Sequence, residues 1–294
     1  MINSSEAELT DKEFVLLRDL IYKLTGITLS DAKRSLVRSR LQRRLRLLEL
    51  SSFQEYYAYL VEHLETEERT AFINCITTNK TDFFREPHHF EFVAQTVIPE
   101  AILRVQRGAD SRRLRVWHAG CSTGEEPYTL AIVLQEALAG KGQWDVKQLA
   151  SDIDTDVLAH AKRGIYNRDR VDPIPDTLLR RYFLCGTGEN ADKVMVKPKL
   201  KEQIAFRQIN LLEEPYPFSA QTRFDFIFCR NVVIYFDKPT QRQLFARFAR
   251  YLRPGGYLFI GHSETLTGVS DAFQNIGATI YQLSEASSMK VKAA

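Results

Sequence analysis

The chain has 294 residues, room for about two domains at roughly 150 residues each. With 44% hydrophobic residues, 18 Phe and 12 Tyr, it can fill a real core, which excludes a disordered chain, and a net charge of only +3 does not by itself call for a polyanionic partner. No apolar run approaches the ~18 residues a transmembrane helix needs, so direct membrane insertion is not expected.

The segment MINSSEAELTDKEF is polar and acidic, without the basic start and apolar stretch of a signal peptide. A cytoplasmic location is therefore expected, with Cys75, Cys121, Cys185 and Cys229 as reduced thiols. Thr10 and Glu13 spell a capping box for a first helix, in which Phe14, Leu17, Ile21 and Leu24 recur at helical spacing until Gly26. Ser30 opens a second helix reaching about Leu48, and Ser52 with Glu55 caps a third. A fourth covers Glu65 to Ile76. Residues 1–76 thus form an all-α N-terminal domain. Residues 77–98 read as a linker, and residues 99–294 as an α/β domain. There, short apolar runs (Leu114–Ala119, Val146–Ser151, Ile204–Asn210, Phe224–Cys229, Tyr257–Gly261, Thr279–Leu283) are separated by helical patterns at Tyr128–Leu138, Thr155–Arg163 and Thr240–Leu252. Strands alternating with helices predict a doubly wound, mainly parallel sheet. The stretch at about 182–206, with Gly186-Thr187-Gly188 and alternating Lys193–Lys197, reads as a small antiparallel β-subdomain inserted into it.

The strongest local pattern is VWHAGCSTGEEPY, Val116 to Tyr128. It is a strand, a glycine turn that admits a ligand close to the backbone, and a helix with Pro127 in its first turn. A dinucleotide fold would put a pyrophosphate here. Glu125 and Glu126 repel phosphate and favour a nucleoside that carries positive charge. Twenty-six residues beyond Glu126, Asp152 ends the next strand, where an acidic residue accepts hydrogen bonds from ribose hydroxyls, while Asp154 caps the following helix. The strand Phe224–Cys229 delivers Arg230, Asn231 and Tyr235 to the same edge of the sheet. Phe83-Phe84 in the threonine-rich linker predicts that this segment packs over the crevice. His88-His89 is the single histidine pair. Neighbours on a helix diverge by about 100°, so no metal is expected.

Taken together, TTNKTDFFREPHHF, AGCSTGEEPYTLA, ASDIDTDVL, FCRNVVIYF and LRPGGYLFIGHSE resemble the chemotaxis receptor methyltransferase family, from about Asp11 to Leu283. That resemblance implies S-adenosylmethionine as cosubstrate and glutamate side chains of bacterial chemoreceptors as methyl acceptors. It implies that Asn79, Thr81 and Arg85 cover the cofactor, Glu126 lies by its amino group and Asp152 takes the ribose hydroxyls. Asn210 and Leu211 would border the adenine, and Arg230 and Asn231 the remaining wall. Arg85 and Tyr235 would lie nearest the transferred methyl, as the catalytic pair. The second helix packs seven positive charges between Lys33 and Arg46; the resemblance turns that face, with Arg40, Arg43 and Arg46, toward the receptor's cytoplasmic helices. It also makes the β-subdomain a seat for a receptor C-terminal peptide. Nucleic acid is not expected, because surface aromatics are not interleaved with the basic residues.

Two other reactions fit parts of the sequence. Gly120-Cys121-Ser122-Thr123-Gly124 matches the GxSxG of serine hydrolases, with Asp225 and His262 following in order. A methyltransferase acting on another protein or on RNA is the nearer alternative.

Overall fold

The computed structural model describes residues 7–284; residues 1–6 and 285–294, assigned above to the two end domains, lie outside the described residues. The N-terminal layer holds helices α1 (Asp11–Thr25), α2 (Arg34–Leu47), α3 (Phe53–Glu62) and α4 (Glu67–Ile76). The capping box forms as expected: Thr10 N–H donates to Glu13 Oε2 at 2.8 Å, and Glu13 N–H to Thr10 Oγ1 at 3.3 Å. Gly26 ends α1 with φ +70°, a conformation that costs glycine nothing. Ser30 makes no side-chain cap; a 3-10 turn at Asp31–Lys33 leads into α2 instead. Phe14, Leu17, Val37, Leu41, Phe53, Tyr56 and Phe72 fill the core between these helices.

At residue 87 the chain joins the sheet domain, earlier than the sequence suggests. Residues placed in the linker up to 98 form α5 (Pro87–Phe92) and a π-helical turn (Val93–Val97), continuing into α6 (Ile98–Gln106). Phe90, Val93, Val97 and Ile98 are buried against the sheet. Pro99 does not break the run, because Ile98 N–H donates five residues back to Val93 O, absorbing the missing donor in a wider turn. The connecting segment is therefore residues 77–86.

The remaining elements are β1 (Arg113–Ala119), α7 (Glu125–Ala137), β2 (Asp145–Asp152), α8 (Thr155–Arg163), β3 (Ile165–Asn167), α9 (Asp176–Tyr182), β4 (Phe183–Cys185), β5 (Lys193–Val196), α10 (Pro198–Lys201), β6 (Ile204–Gln208), β7 (Phe224–Cys229), α11 (Lys238–Tyr251), β8 (Leu252–Ile260), β9 (Phe273–Gly277) and β10 (Ile280–Leu283). The main sheet runs β6-β2-β1-β7-β8-β10-β9, parallel through β8 and antiparallel at its last two strands. Side chains alternate across it. Trp117, Ala119, Ile227 and Cys229 meet Leu244, Phe245 and Phe248 of α11 on one face; Leu114, Val116, Phe226 and Phe228 meet α5–α7 on the other. The doubly wound sheet is as expected, and β9 is an addition. The small antiparallel sheet, β3-β5-β4, spans 165–196 rather than 182–206; β6 belongs to the main sheet beside β2. Among the described residues, no helix is long and apolar enough to cross a membrane.

The basic helix α2 is less uniform than its sequence suggests. Arg34 pairs with Asp11, and Arg44 forks onto the buried Glu68, which also accepts from Tyr56 Oη at 2.9 Å. Removing that carboxylate strands the buried Tyr56 hydroxyl and the half-buried Arg44 guanidinium. Glu68→Ala is expected to cost about 3 kcal/mol of stability in urea unfolding, and a loss under about 0.5 kcal/mol would show that the pair contributes nothing net.

Candidate functional site

The chain leaves β1 for β2 and β6 on one side and returns to β7 on the other, so the crevice opens beyond the C-terminal ends of β1 and β7. A cavity of about 240 Å³ lies there. Gly120 and Ser122 after β1, Asp152 at the end of β2, Ile209–Leu211 after β6 and Arg230–Val232 after β7 line it from below. Thr25, Ile27, Thr28, Leu29, Lys33, Leu36 and Ile76 of the helical layer, with residues 77–82 and Arg85 of the connecting segment, cover it. The cover is fastened at its edges. Thr28 N–H donates to Tyr235 O at 2.8 Å, Asn210 Nδ2 to Leu24 O at 2.9 Å, and Tyr22 Oη to Asp237 at 2.8 Å.

The turn after β1 is built on close approach. Gly120 (φ +101°) has no room for a side chain, since a Cβ there would stand 2.4 Å from Val232. Gly124 (φ +97°) is closed off by Ala161 and Tyr166, so packing, not ligand approach, requires glycine there. Between them Ser122 takes a left-handed backbone (φ +48°); its N–H donates to Asp152 Oδ2 at 2.8 Å and its hydroxyl to Asn79 O at 2.8 Å. Burial, partly offset by backbone donors from Asp154 and Ser122, pushes the Asp152 carboxyl up to about 6. Asp154 caps α8 as expected and also accepts from Thr77 and Asn79, which ties the connecting segment to β2.

The two adjacent glutamates part company. Glu125 is buried and turns to Thr123 and, at 2.9 Å, Arg170, which also holds Asp82 and Thr81 O. Glu126 faces the cavity; it accepts from His118 Nδ1 at 2.8 Å and from Arg230 Nη1 at 3.2 Å. Burial raises its carboxyl, but the His118 hydrogen bond and Arg230 outweigh that and hold it below the usual carboxylate range. Arg85, whose Nη1 donates to Lys80 O at 2.8 Å, sits between Phe84 and Glu86, both with positive φ (54° and 56°), so the segment is strained where it meets the cavity. Phe83 anchors it by packing edge-on against Tyr166 and Phe183.

Asn79, Thr81, Arg85, Glu126, Asp152, Asn210, Leu211, Arg230, Asn231 and Tyr235 all line this one cavity. Asn210 is also spent structurally, its amide donating to Leu24 O and Glu213. The three arginines expected to meet a partner lie elsewhere, and Arg40 among them is also engaged within the helical layer. Its guanidinium donates to the carbonyls of Ile76 and Thr77 and to Thr78 Oγ1, closing the end of α4. Arg43 and Arg46 are exposed. Sequence reasoning missed Lys33, Thr28 and Leu36 in the cover. It also missed Glu264, which accepts from Asn231 N–H at 2.9 Å and Ile234 N–H at 3.2 Å and so clamps the loop carrying Arg230 to Tyr235. An acidic residue just past a buried strand, in GHSE, was the available signal.

The hydrolase arrangement does not form. His262 pairs with Glu86, and Asp225, at the opposite end of the sheet, is held by Arg115 N–H and Arg253. Glu86, His88 and His89 bring possible metal-ligand atoms within 4.8 Å of one another, yet the Arg230 guanidinium stands 3.4 Å from the same Glu86 carboxylate and already balances it.

Comparison with known proteins agrees with this geometry. The CheR methyltransferase all-alpha domain matches residues 12–77, and the CheR methyltransferase SAM binding domain matches residues 79–282. Chemotaxis protein methyltransferase 2 of Pseudomonas aeruginosa is 47% identical over 283 residues, covering 96% of each chain. Chemotaxis protein methyltransferase of Salmonella typhimurium is 44% identical over 278 residues, covering 94% of this chain and 92% of that one. Among solved structures, the CcbJ methyltransferase of Streptomyces caelestis is only distantly similar, at 13% identity and a TM-score of 0.31 over 55% of this chain and 50% of that one.

An ionised carboxylate accepts hydroxyl donors more strongly, and at more positions, than a protonated carboxyl. Affinity for S-adenosylhomocysteine, followed by isothermal titration, should therefore fall as pH drops below about 6. Asp152→Asn should bind about tenfold more weakly at neutral pH and lose this step; a wild-type affinity flat through that range would contradict the assignment.

Proposed function

The chain belongs to the CheR methyltransferase family, and from that premise we propose that it transfers the methyl group of S-adenosylmethionine to glutamate side chains of bacterial chemoreceptors in the cytoplasm. The products are glutamate methyl esters and S-adenosylhomocysteine. The observation that carries this reading is a cavity in which two carboxylates, Glu126 and Asp152, lie under a cover bearing Asn79, Thr81 and Arg85. That set suits a nucleoside with a cationic amino-acid tail and no phosphates. Glu126 takes the ammonium, Asp152 the ribose hydroxyls, Asn210 and Leu211 the adenine edge, and Arg230 and Asn231 the far wall.

The mechanism follows from charge. The sulfonium carries an already activated methyl, and a glutamate carboxylate, with an ordinary pKa of about 4.3, is ionised at neutral pH. No general base is required. The chain's contribution is to hold carboxylate, methyl and sulfur in line and to keep water from the carboxylate. Attack neutralises both charges, so a tight ion pair to the incoming glutamate would favour the ground state. Arg85 and Tyr235 accordingly orient the reacting groups rather than activate them. Tyr235→Phe should lower kcat by about 10- to 100-fold and leave cofactor affinity nearly unchanged; calorimetry and initial rates showing the reverse would remove Tyr235 from this role.

Receptor contact falls to the basic face of α2 with Arg40, Arg43 and Arg46, of which Arg43 and Arg46 are exposed and Arg40 also closes the end of α4. The outer strand β4, with Leu184 exposed, offers an edge to a receptor C-terminal peptide, which would raise the local substrate concentration. Charge reversal at Arg43 and Arg46 together should slow methylation about tenfold at low ionic strength and much less at high salt. Equal rates at both salt concentrations would place the contact elsewhere. The reading as a whole is tested by incubating the protein with tritiated S-adenosylmethionine and chemoreceptor-bearing membranes. Alkali-labile methyl esters on the receptor are expected; label in alkali-stable form, or on RNA, would overturn it.

A further inference from the structure

His118 lies on β1 facing α7, fully buried and stacked on Phe228 at a ring-centroid distance of 5.5 Å. It lines no part of the cavity, but it touches the residue that does. Its Nδ1 stands 2.8 Å from Glu126 Oε1 and its Nε2 stands 2.9 Å from the side-chain oxygen of Gln148 on β2. Glu126 is held ionised by its neighbours, so its carboxylate only accepts, and the proton between the two belongs to His118 Nδ1. Gln148 is buried, and its Nε2 is otherwise without a partner. Gln148 thus backs the ring on the side away from Glu126. The second carboxylate oxygen of Glu126 is oriented from the opposite side by Arg230 Nη1 at 3.2 Å.

Resting on the reading of the cavity as an S-adenosylmethionine site, we propose that His118 is a positioning residue: with Gln148 behind it, it fixes the rotamer of Glu126 so that the carboxylate meets the ammonium of the cofactor's amino-acid tail. The histidine acts through Glu126 and touches neither substrate. Without its Nδ1 donor, Glu126 would lean wholly on Arg230, the carboxylate would turn toward the guanidinium, and the ammonium would lose its acceptor. Asp152, in the nucleoside half of the site, is held by the N–H groups of Ser122 and Asp154 and not by His118.

The test compares two ligands that differ only in that tail, S-adenosylhomocysteine and 5′-methylthioadenosine, by calorimetry on the full chain. His118→Leu should weaken S-adenosylhomocysteine by about 10- to 100-fold while 5′-methylthioadenosine changes little. His118→Asn, whose side-chain NH₂ reaches the Nδ1 position, should restore most of the loss. If the leucine variant does not fold, His118→Gln, which keeps polarity but not the donor position, serves for the same comparison. Equal weakening of both ligands, or an asparagine variant as weak as the leucine one, would overturn the proposal and leave His118 a packing residue. Wild-type protein that binds neither compound would instead overturn the reading of the cavity itself.

Discussion

Everything about this crevice depends on where one buried cation is held. The side chain of Arg230 is 2% exposed, and it joins three parts of the chain that are far apart in sequence. It donates to Glu126 on α7 and to the carbonyl of Arg85 in the connecting segment, it faces Glu86 at 3.4 Å, and its guanidinium lies over the rings of Phe90 and Phe228. A guanidinium so enclosed is tolerable only because two carboxylates share it, and stripping away a partner from such a group costs about 3 to 5 kcal/mol. The same contacts set the polarity of the cavity wall. Arg230 in turn helps to hold both carboxylates below the usual carboxylate range, Glu126 in the cavity wall and Glu86 behind it.

Topology brings these groups to one point. Because β1, β2, β6 and β7 are parallel, their C-terminal ends share one edge of the sheet, and the reversal of winding between β1 and β7 opens a crevice there. The helical layer then closes over that opening through a few backbone contacts, among them Thr28 to Tyr235 and Leu24 to Asn210. Side-chain contacts add to these, with Thr77 and Asn79 donating to Asp154 and Ser122 donating to Asn79 O.

The sequence made some of this legible and hid the rest for identifiable reasons. The glycine turn after β1, Asp152 at the end of β2 and Arg230 at the end of β7 were readable because strand ends carry sharp local signatures: an apolar run, then polar or glycine residues. The helix over 87–106 was not, since Pro99 looks like a stop and only a π-helical turn lets the run continue. Arg40 looked like a member of a basic surface face, but helical periodicity does not reveal that the carbonyls ending α4 lie within its reach. The separate fates of Glu125 and Glu126 were equally hidden. They depend on Arg170 from the inserted segment and on His118 from β1, contacts made across the fold rather than along the chain. Strands of three residues, such as β3, are too short for an alternating pattern to register.

The central claim is that the crevice accepts a charged sulfur nucleoside with its amino-acid tail against Glu126. A crystal structure of the protein with S-adenosylhomocysteine tests it most directly. The account predicts the amino nitrogen within hydrogen-bonding distance of the Glu126 carboxylate and both ribose hydroxyls on Asp152. The compound bound outside the crevice, or with its tail turned away from Glu126, would contradict it.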